Sequence, residues 1–71
     1  MKLTHKQQKV LDCIVQYIVE NNYPPSSREI GAIVNHKSSS TTHGIFVRLR
    51  QKGYIDWEDT KPRTLRVLKG A

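Results

Sequence analysis

Pro24-Pro25 restricts this chain more than any other feature. Two consecutive prolines remove two backbone donors and fix φ, so no helix runs through them. A helix-start signature stands on either side. Thr4-x-x-Gln7 and Ser26-x-x-Glu29 are capping boxes, in which a hydroxyl and a carboxamide or carboxylate each take an orphan backbone N–H. The first half of the chain therefore holds two helices with a sharp break between them. Helix one begins at Thr4 and carries an apolar stripe of Val10, Leu11, Ile14, Val15 and Ile18. Asn21-Asn22-Tyr23 ends it, because asparagine tolerates a left-handed turn. Helix two has a short buried face of Ile30, Ile33 and Val34.

Asn35-His36-Lys37-Ser38 is a break of the length found in a helix-turn-helix connection. Ser38 or Ser39 can cap a third helix, predicted over roughly 39–52. Gly53 is placed to stop it. After that the period changes. Tyr54-Ile55-Asp56-Trp57 and Thr64-Leu65-Arg66-Val67-Leu68 are rich in β-branched and aromatic residues and read as two strands around the polar turn "EDTKPR". The expected fold is mainly α with a small antiparallel β-hairpin: a winged helix-turn-helix of three helices plus a wing. With 71 residues and no linker or repeat, the chain reads as one domain over 1–71.

The third helix has two unlike faces. At about 100° per residue, Thr42, Ile45, Phe46 and Leu49 gather on one side as core candidates. Ser40, Gly44, Val47, Arg48 and Gln51 fall opposite, with Thr41 and His43 on the flanks. A solvated face is usually built from Lys, Glu and Gln, and glycine in a helix costs about 1 kcal/mol relative to alanine. Close approach to another surface offsets that cost; close helix packing is the other explanation for Gly44. In a helix-turn-helix, the start of the second helix of the motif enters the major groove of DNA. Small hydroxyls meet base edges there, and Arg48 is long enough for a guanine fork or a phosphate. His43 can reach a base or a phosphate. Ser38 and Ser39 serve the helix start first and the groove second.

Charge supports a polyanionic partner. Twelve Lys and Arg against six Asp and Glu give +6. No acidic residue lies between Lys37 and Lys52. Arg50 and Lys52 suit solvent or phosphate, and Arg28 at the start of helix two suits phosphate. Lys61 and Arg63 flank Pro62 at the tip of the wing, where 58–63 can lie along a DNA backbone. Asp56, Glu58 and Asp59 oppose this unless they pair locally. A winged-helix module for an acidic protein, or a nonspecific nucleic-acid binder, fits the same charge. The Ser/Thr/Gly face favours sequence-specific double-stranded DNA.

Other chemistry finds little support. His5, His36 and His43 lack metal-ligand spacing. Cys13 is the sole cysteine and suits a half-buried helix flank. Phosphate-binding glycine loops and nucleophile motifs are missing, so enzyme activity is not expected. One cysteine, no long apolar run and a start, "MKLTHKQQKV", without an apolar signal core point to the cytoplasm.

The stretches "LTHKQQKVLDCI", "YPPSSREIG", "SSSTTHG", "RLRQKGYI" and "TKPRTLRVL" run in order from Leu3 to Leu68. In these the chain resembles the N-terminal DNA-binding domain of LexA-type SOS-response repressors, and its Gram-positive branch in particular. The resemblance implies a transcriptional repressor that binds a palindromic operator as a dimer, without a cofactor. By matching position it implies that Ser38, Ser40, Thr41, His43, Gly44 and Arg48 lie in or beside the major groove. Asn35-His36 stands where that family usually has glycine and an apolar residue. Ile45-Phe46 is bulkier than usual, and Asp56-Trp57 replaces a more basic start to the wing. Family members also carry a C-terminal self-cleaving peptidase domain with a serine-lysine pair, to which nothing in these 71 residues corresponds. No self-cleavage is expected, and only weak dimerisation unless DNA holds two copies side by side.

Overall fold

The computed structural model describes residues 3–61 and 63–69. Its elements run α1 (His5–Asn21), α2 (Ser27–Ile33), α3 (Ser39–Gln51), β1 (Ile55–Asp56) and β2 (Arg66–Val67). The strands pair antiparallel, Ile55 opposite Val67 and Asp56 opposite Arg66.

Both capping boxes form. The Thr4 hydroxyl accepts from the Gln7 N–H at 3.2 Å, and Gln7 Oε1 accepts from the Thr4 N–H at 3.1 Å. Ser26 and Glu29 repeat the arrangement at 3.2 and 2.9 Å. Ser38, rather than Ser39, is the cap of α3, its Oγ accepting from the Thr41 N–H at 3.4 Å. Asn22 ends α1 in the left-handed region at φ 62°. Asn35, at φ 60°, supplies the turn after α2, and the His36 N–H closes back onto the Gly31 carbonyl at 2.9 Å. Gly53, at φ 81°, does the same for α3, with the Tyr54 N–H on the Leu49 carbonyl at 3.0 Å.

Val10, Leu11 and Ile14 of α1, Ile30 of α2, Phe46 and Leu49 of α3, and Tyr54, Ile55 and Leu65 of the wing form one core. Burial of Thr42 at the α2–α3 contact is as expected; the burial of Gly31 and the Thr42–His36 pairing were not. Gly31 is buried, and a Cβ added to it would lie 2.7 Å from Thr42 Oγ1. Thr42 is itself fully buried, and its hydroxyl is paired with His36 Nδ1 at 2.7 Å. His36 therefore closes the core here, in a place where an apolar residue would leave a buried hydroxyl without this partner.

Two expectations are corrected. Ile33 is 55% exposed and Val15 39% exposed, so neither belongs to the core. In α2 the buried arc centres on Ile30 and the Gly31 notch, and Ile33 falls beyond it. The strands are two residues each, shorter than the four and five predicted. Side-chain oxygens take the backbone donors that a longer ladder would use. Asp56 Oδ1 accepts from the Trp57 N–H at 2.9 Å, and the Thr64 hydroxyl accepts from the Glu58 N–H at 2.7 Å.

Candidate nucleic-acid interface

Packing fixes which face of α3 looks outward. Thr42, Phe46 and Leu49 are buried at 0, 4 and 0% exposure. Ser40, Thr41, His43, Gly44, Arg48 and Gln51 are exposed, and Ile45 and Val47 are half-buried. A Cβ added at Gly44 would meet no atom within 4 Å. Helix packing therefore does not explain this glycine. Ser38 is exposed at the cap. The Ser39 side chain and Pro62 lie outside the described residues.

The basic candidates separate into two groups. Arg48 stands on the outward face with one long contact among the described residues, Nη1 to Gln51 Oε1 at 3.5 Å. Arg28 is exposed in the first turn of α2 and forms no ion pair among the described residues. Lys61 is exposed and lies 3.6 Å from Glu58, which is exposed too, a pairing of little strength. These three cations remain available to a partner. Lys52, at the end of α3, instead donates from Nζ to Gln7 Oε1 at 2.6 Å and so ties α3 to the start of α1.

Arg50 and Arg63 are committed within the fold. Arg50 Nε donates to Asp56 Oδ1 at 2.9 Å, Nη1 to Asp59 Oδ1 at 3.2 Å and Nη2 to the Trp57 carbonyl at 3.0 Å. The Trp57 N–H and the Arg50 guanidinium hold the Asp56 carboxyl below the usual carboxylate range. Arg63, in the left-handed region at φ 54°, turns back to the α1–α2 junction. Its Nη1 donates to Glu29 Oε1 at 2.9 Å and to the Pro24 carbonyl at 3.2 Å. Glu29 Oε2 accepts from the Tyr17 hydroxyl at 2.6 Å. Tyr17, the Ser26 N–H and Arg63 together lower the Glu29 pKa to about 2.

Sequence reading allowed for local pairing of Asp56, Glu58 and Asp59, which the ion pairs bear out, but it did not name Arg50 as the partner of Asp56 and Asp59, did not find the Glu29–Arg63 contact and gave Trp57 no packing role. The Trp57 ring lies 6.2 Å from His43 and 6.4 Å from Phe46, so it fills the corner between α3 and the wing. A cleft of about 150 Å³ opens beside it, between the start of α2, α3 and the wing, with Ser27, His43, Lys61 and Thr64 among its lining residues. Capping boxes are local patterns, but Arg50 with Asp59 or Tyr17 with Glu29 has no periodicity to betray it. The one available signal was the acidity of Asp56, Glu58 and Asp59 in a basic wing, which calls for local cations.

Residues 1–64 match the family described as the LexA DNA binding domain. The chain belongs to that family. It is 52% identical to the LexA repressor of Bacillus mycoides (strain KBAB4) over 94% of its own length and 33% of the relative's. Against the LexA repressor of Bacillus thuringiensis (strain Al Hakam) the identity is again 52%, over 94% and 32%. The chain thus spans about a third of the length of these relatives. It also superimposes with a TM-score of 0.77 on a crystal structure of a hypothetical protein at 2.2 Å resolution, at 34% identity over 93% of this chain and 20% of that one.

The LexA-type fold is a winged helix, with α2 and α3 as its helix-turn-helix and β1–β2 as its wing. Among its described residues, no group of His, Cys, Asp and Glu is placed to hold a metal ion. None of the described helices is long and apolar enough to cross a membrane. Cys13 is half-buried and its thiol pKa is raised by burial and by Glu20, which disfavours the reactive thiolate.

Proposed function

We propose that this LexA-type domain, as a single unit over 1–71, reads double-stranded DNA sequence-specifically as the binding part of a transcriptional repressor. One observation carries the reading. α3 is clamped by Thr42, Phe46 and Leu49, while Ser40, Thr41, His43, open-sided Gly44 and Arg48 stand clear on the other side. Such a helix can sink its first turns into a major groove, with small hydroxyls near base edges and Arg48 reaching a guanine or a phosphate. Arg28 and Lys61 then meet phosphates on either side and set the register.

Names of the relatives support repression, and the SOS type of response is the reading that follows from the family resemblance. Two copies side by side on a palindromic operator double the reading surface, and dimerisation is weak without DNA. The domain acts by binding in the cytoplasm, with no catalytic role.

A titration with palindromic and scrambled duplexes over a range of salt tests this. The palindrome comes from selection out of random oligonucleotides. Preference for it is expected to reach roughly 10³-fold or more in the dimeric complex. Equal affinity for all duplexes replaces this reading with a nonspecific binder. Absence of duplex binding replaces it with a module for an acidic protein.

A further inference from the structure

Basic residues in and beside the wing have acidic partners. Arg50 meets Asp56 and Asp59, Lys61 meets Glu58, Arg63 meets Glu29, and Arg66 meets Asp56. Lys6, Lys9 and Lys37 form no ion pair among the described residues, and all three are exposed. Two of these belong to the first turns of α1, and Lys37 to the turn before α3. Uncompensated positive charge therefore lies on α1 and the α2–α3 turn as well as at Arg28 and Arg48, apart from the paired arginines at the wing.

A cleft of about 320 Å³ opens there, with His5, Lys6, Lys9, His36 and Thr41 in its lining and no acidic residue. Ammonium groups and a hydroxyl supply hydrogen-bond donors, and each neutral imidazole supplies one N–H, which suits a ligand made of acceptor oxygens. The His36 ring is fixed, since its Nδ1 is held by the buried Thr42 hydroxyl at 2.7 Å. Thr41 joins the cleft to the outward face of α3, because it lines the one and is exposed on the other.

We infer that this cleft takes a backbone phosphodiester of the same duplex whose major groove receives α3, so that α1 and the turn supply a grip that the fastened wing arginines do not. The inference rests on the DNA reading proposed above. Lys6 and Lys9 are its principal contacts, and His5, His36 and Thr41 shape the seat. A phosphate contact of this kind carries no base information, so it adds affinity to every sequence alike.

The test is the Lys6→Gln/Lys9→Gln double variant of this chain, which keeps most of the side-chain length and the helix propensity. It is titrated beside the unaltered chain and a Lys69→Gln control, against the selected palindrome and a scrambled duplex, from low to high salt. Affinity for both duplexes is expected to fall by the same factor, leaving the preference between them unchanged. The log–log salt slope is expected to become shallower by about 0.9 for each phosphate that is no longer neutralised. A thermal unfolding midpoint equal to that of the unaltered chain shows that the fold is intact. If the unaltered chain prefers the palindrome but the double variant keeps the slope of the Lys69→Gln control, the cleft is not a phosphate seat and the groove reading stands. If the unaltered chain shows no preference at all, the groove reading fails and this inference fails with it.

Discussion

The guanidinium of Arg50 lies over the indole of Trp57, 4.3 Å from the ring centroid. Through this stack the last turn of α3 holds the first residues of the wing. The indole Nε1 donates to Asp59 Oδ1 at 2.8 Å, the oxygen that also accepts from Arg50. A basic residue that reads as a solvent or phosphate contact in the sequence thus orients the wing. Cation–ring stacking is worth about 0.5–1 kcal/mol at exposed sites.

Removing the ring separates the two parts. Trp57→Ala is expected to lower the thermal midpoint by roughly 5–10 °C, the shift that follows from about 1–2 kcal/mol in a domain of this size. Affinity for all duplexes is expected to fall together, because the wing loses its angle to α3 while Ser40, Thr41, Gly44 and Arg48 are untouched and only His43, 6.2 Å from the ring, loses a neighbour. Trp57→Phe restores a ring for Arg50 and is expected to recover most of the midpoint. Differential scanning calorimetry and duplex titration check both outcomes.

Glu29 makes stability depend on acidity. Its pKa is lowered to about 2 in the fold, against an ordinary 4.5. A carboxyl with a depressed folded pKa contributes stability above its unfolded pKa and loses it as pH falls through the folded one. The Glu29 contribution is therefore complete above about pH 4.5 and disappears between there and about pH 2. Asp56, also lowered, acts in the same direction. Denaturant midpoints measured from pH 6 to pH 2 are expected to fall in that window, and Glu29→Gln is expected to start lower at pH 6 and fall less steeply. Equal slopes for the two chains would remove Glu29 from the account.

Two glycines on neighbouring helices call for opposite outcomes. At Gly31 a methyl would lie 2.7 Å from Thr42 Oγ1, in the middle of a buried contact. Gly31→Ala is expected to destabilise by about 1–3 kcal/mol, the range for overpacking a filled core. Adding Thr42→Ala to it is expected to cost less than the sum of the two single changes, because the clash disappears with the hydroxyl. At Gly44 the methyl would stand in open space, so Gly44→Ala is expected to gain up to about 1 kcal/mol from helix propensity alone. Gly44→Leu is expected to abolish duplex binding with the fold intact. Chemical denaturation gives both signs in one series.

These contrasts mark what the sequence makes legible. The capping boxes, the Asn35 and Gly53 turns and the inward face of α3 are patterns within a few residues, and each is found where the pattern predicts. Gly31 gives no such sign, because its neighbour Thr42 is close only after α2 and α3 have packed. Predicted strand length erred for a related reason. β propensity runs through Trp57 and Leu65, but the Asp56 carboxylate and Thr64 hydroxyl capture the donors the ladder needs. The outward face of α3 is readable because a helix projects its period directly onto its surface. Which wing cations stay free is not, since it depends on partners such as Glu29 that are 34 residues from Arg63 in the chain.

Arg48 and Lys61 divide the work of reading and holding. Arg48 stands on the outward face of α3, and its contact to Gln51 at 3.5 Å is easily exchanged for a base. Lys61 is 71% exposed at the tip of the wing, where Glu58 at 3.6 Å restrains it weakly. A fork from Arg48 to guanine O6 and N7 is worth about 1–3 kcal/mol of discrimination. Arg48→Ala is therefore expected to weaken the selected palindrome by that amount and to leave scrambled duplexes much less affected, so that preference at one base pair relaxes. Lys61→Ala is expected to weaken both duplexes equally and to make the salt slope shallower by about 0.9. Selection from random oligonucleotides with each variant separates the two roles. A changed consensus is expected for Arg48→Ala and an unchanged one for Lys61→Ala. If the Arg48→Ala consensus matches that of the unaltered chain, the outward face of α3 does not read bases through Arg48.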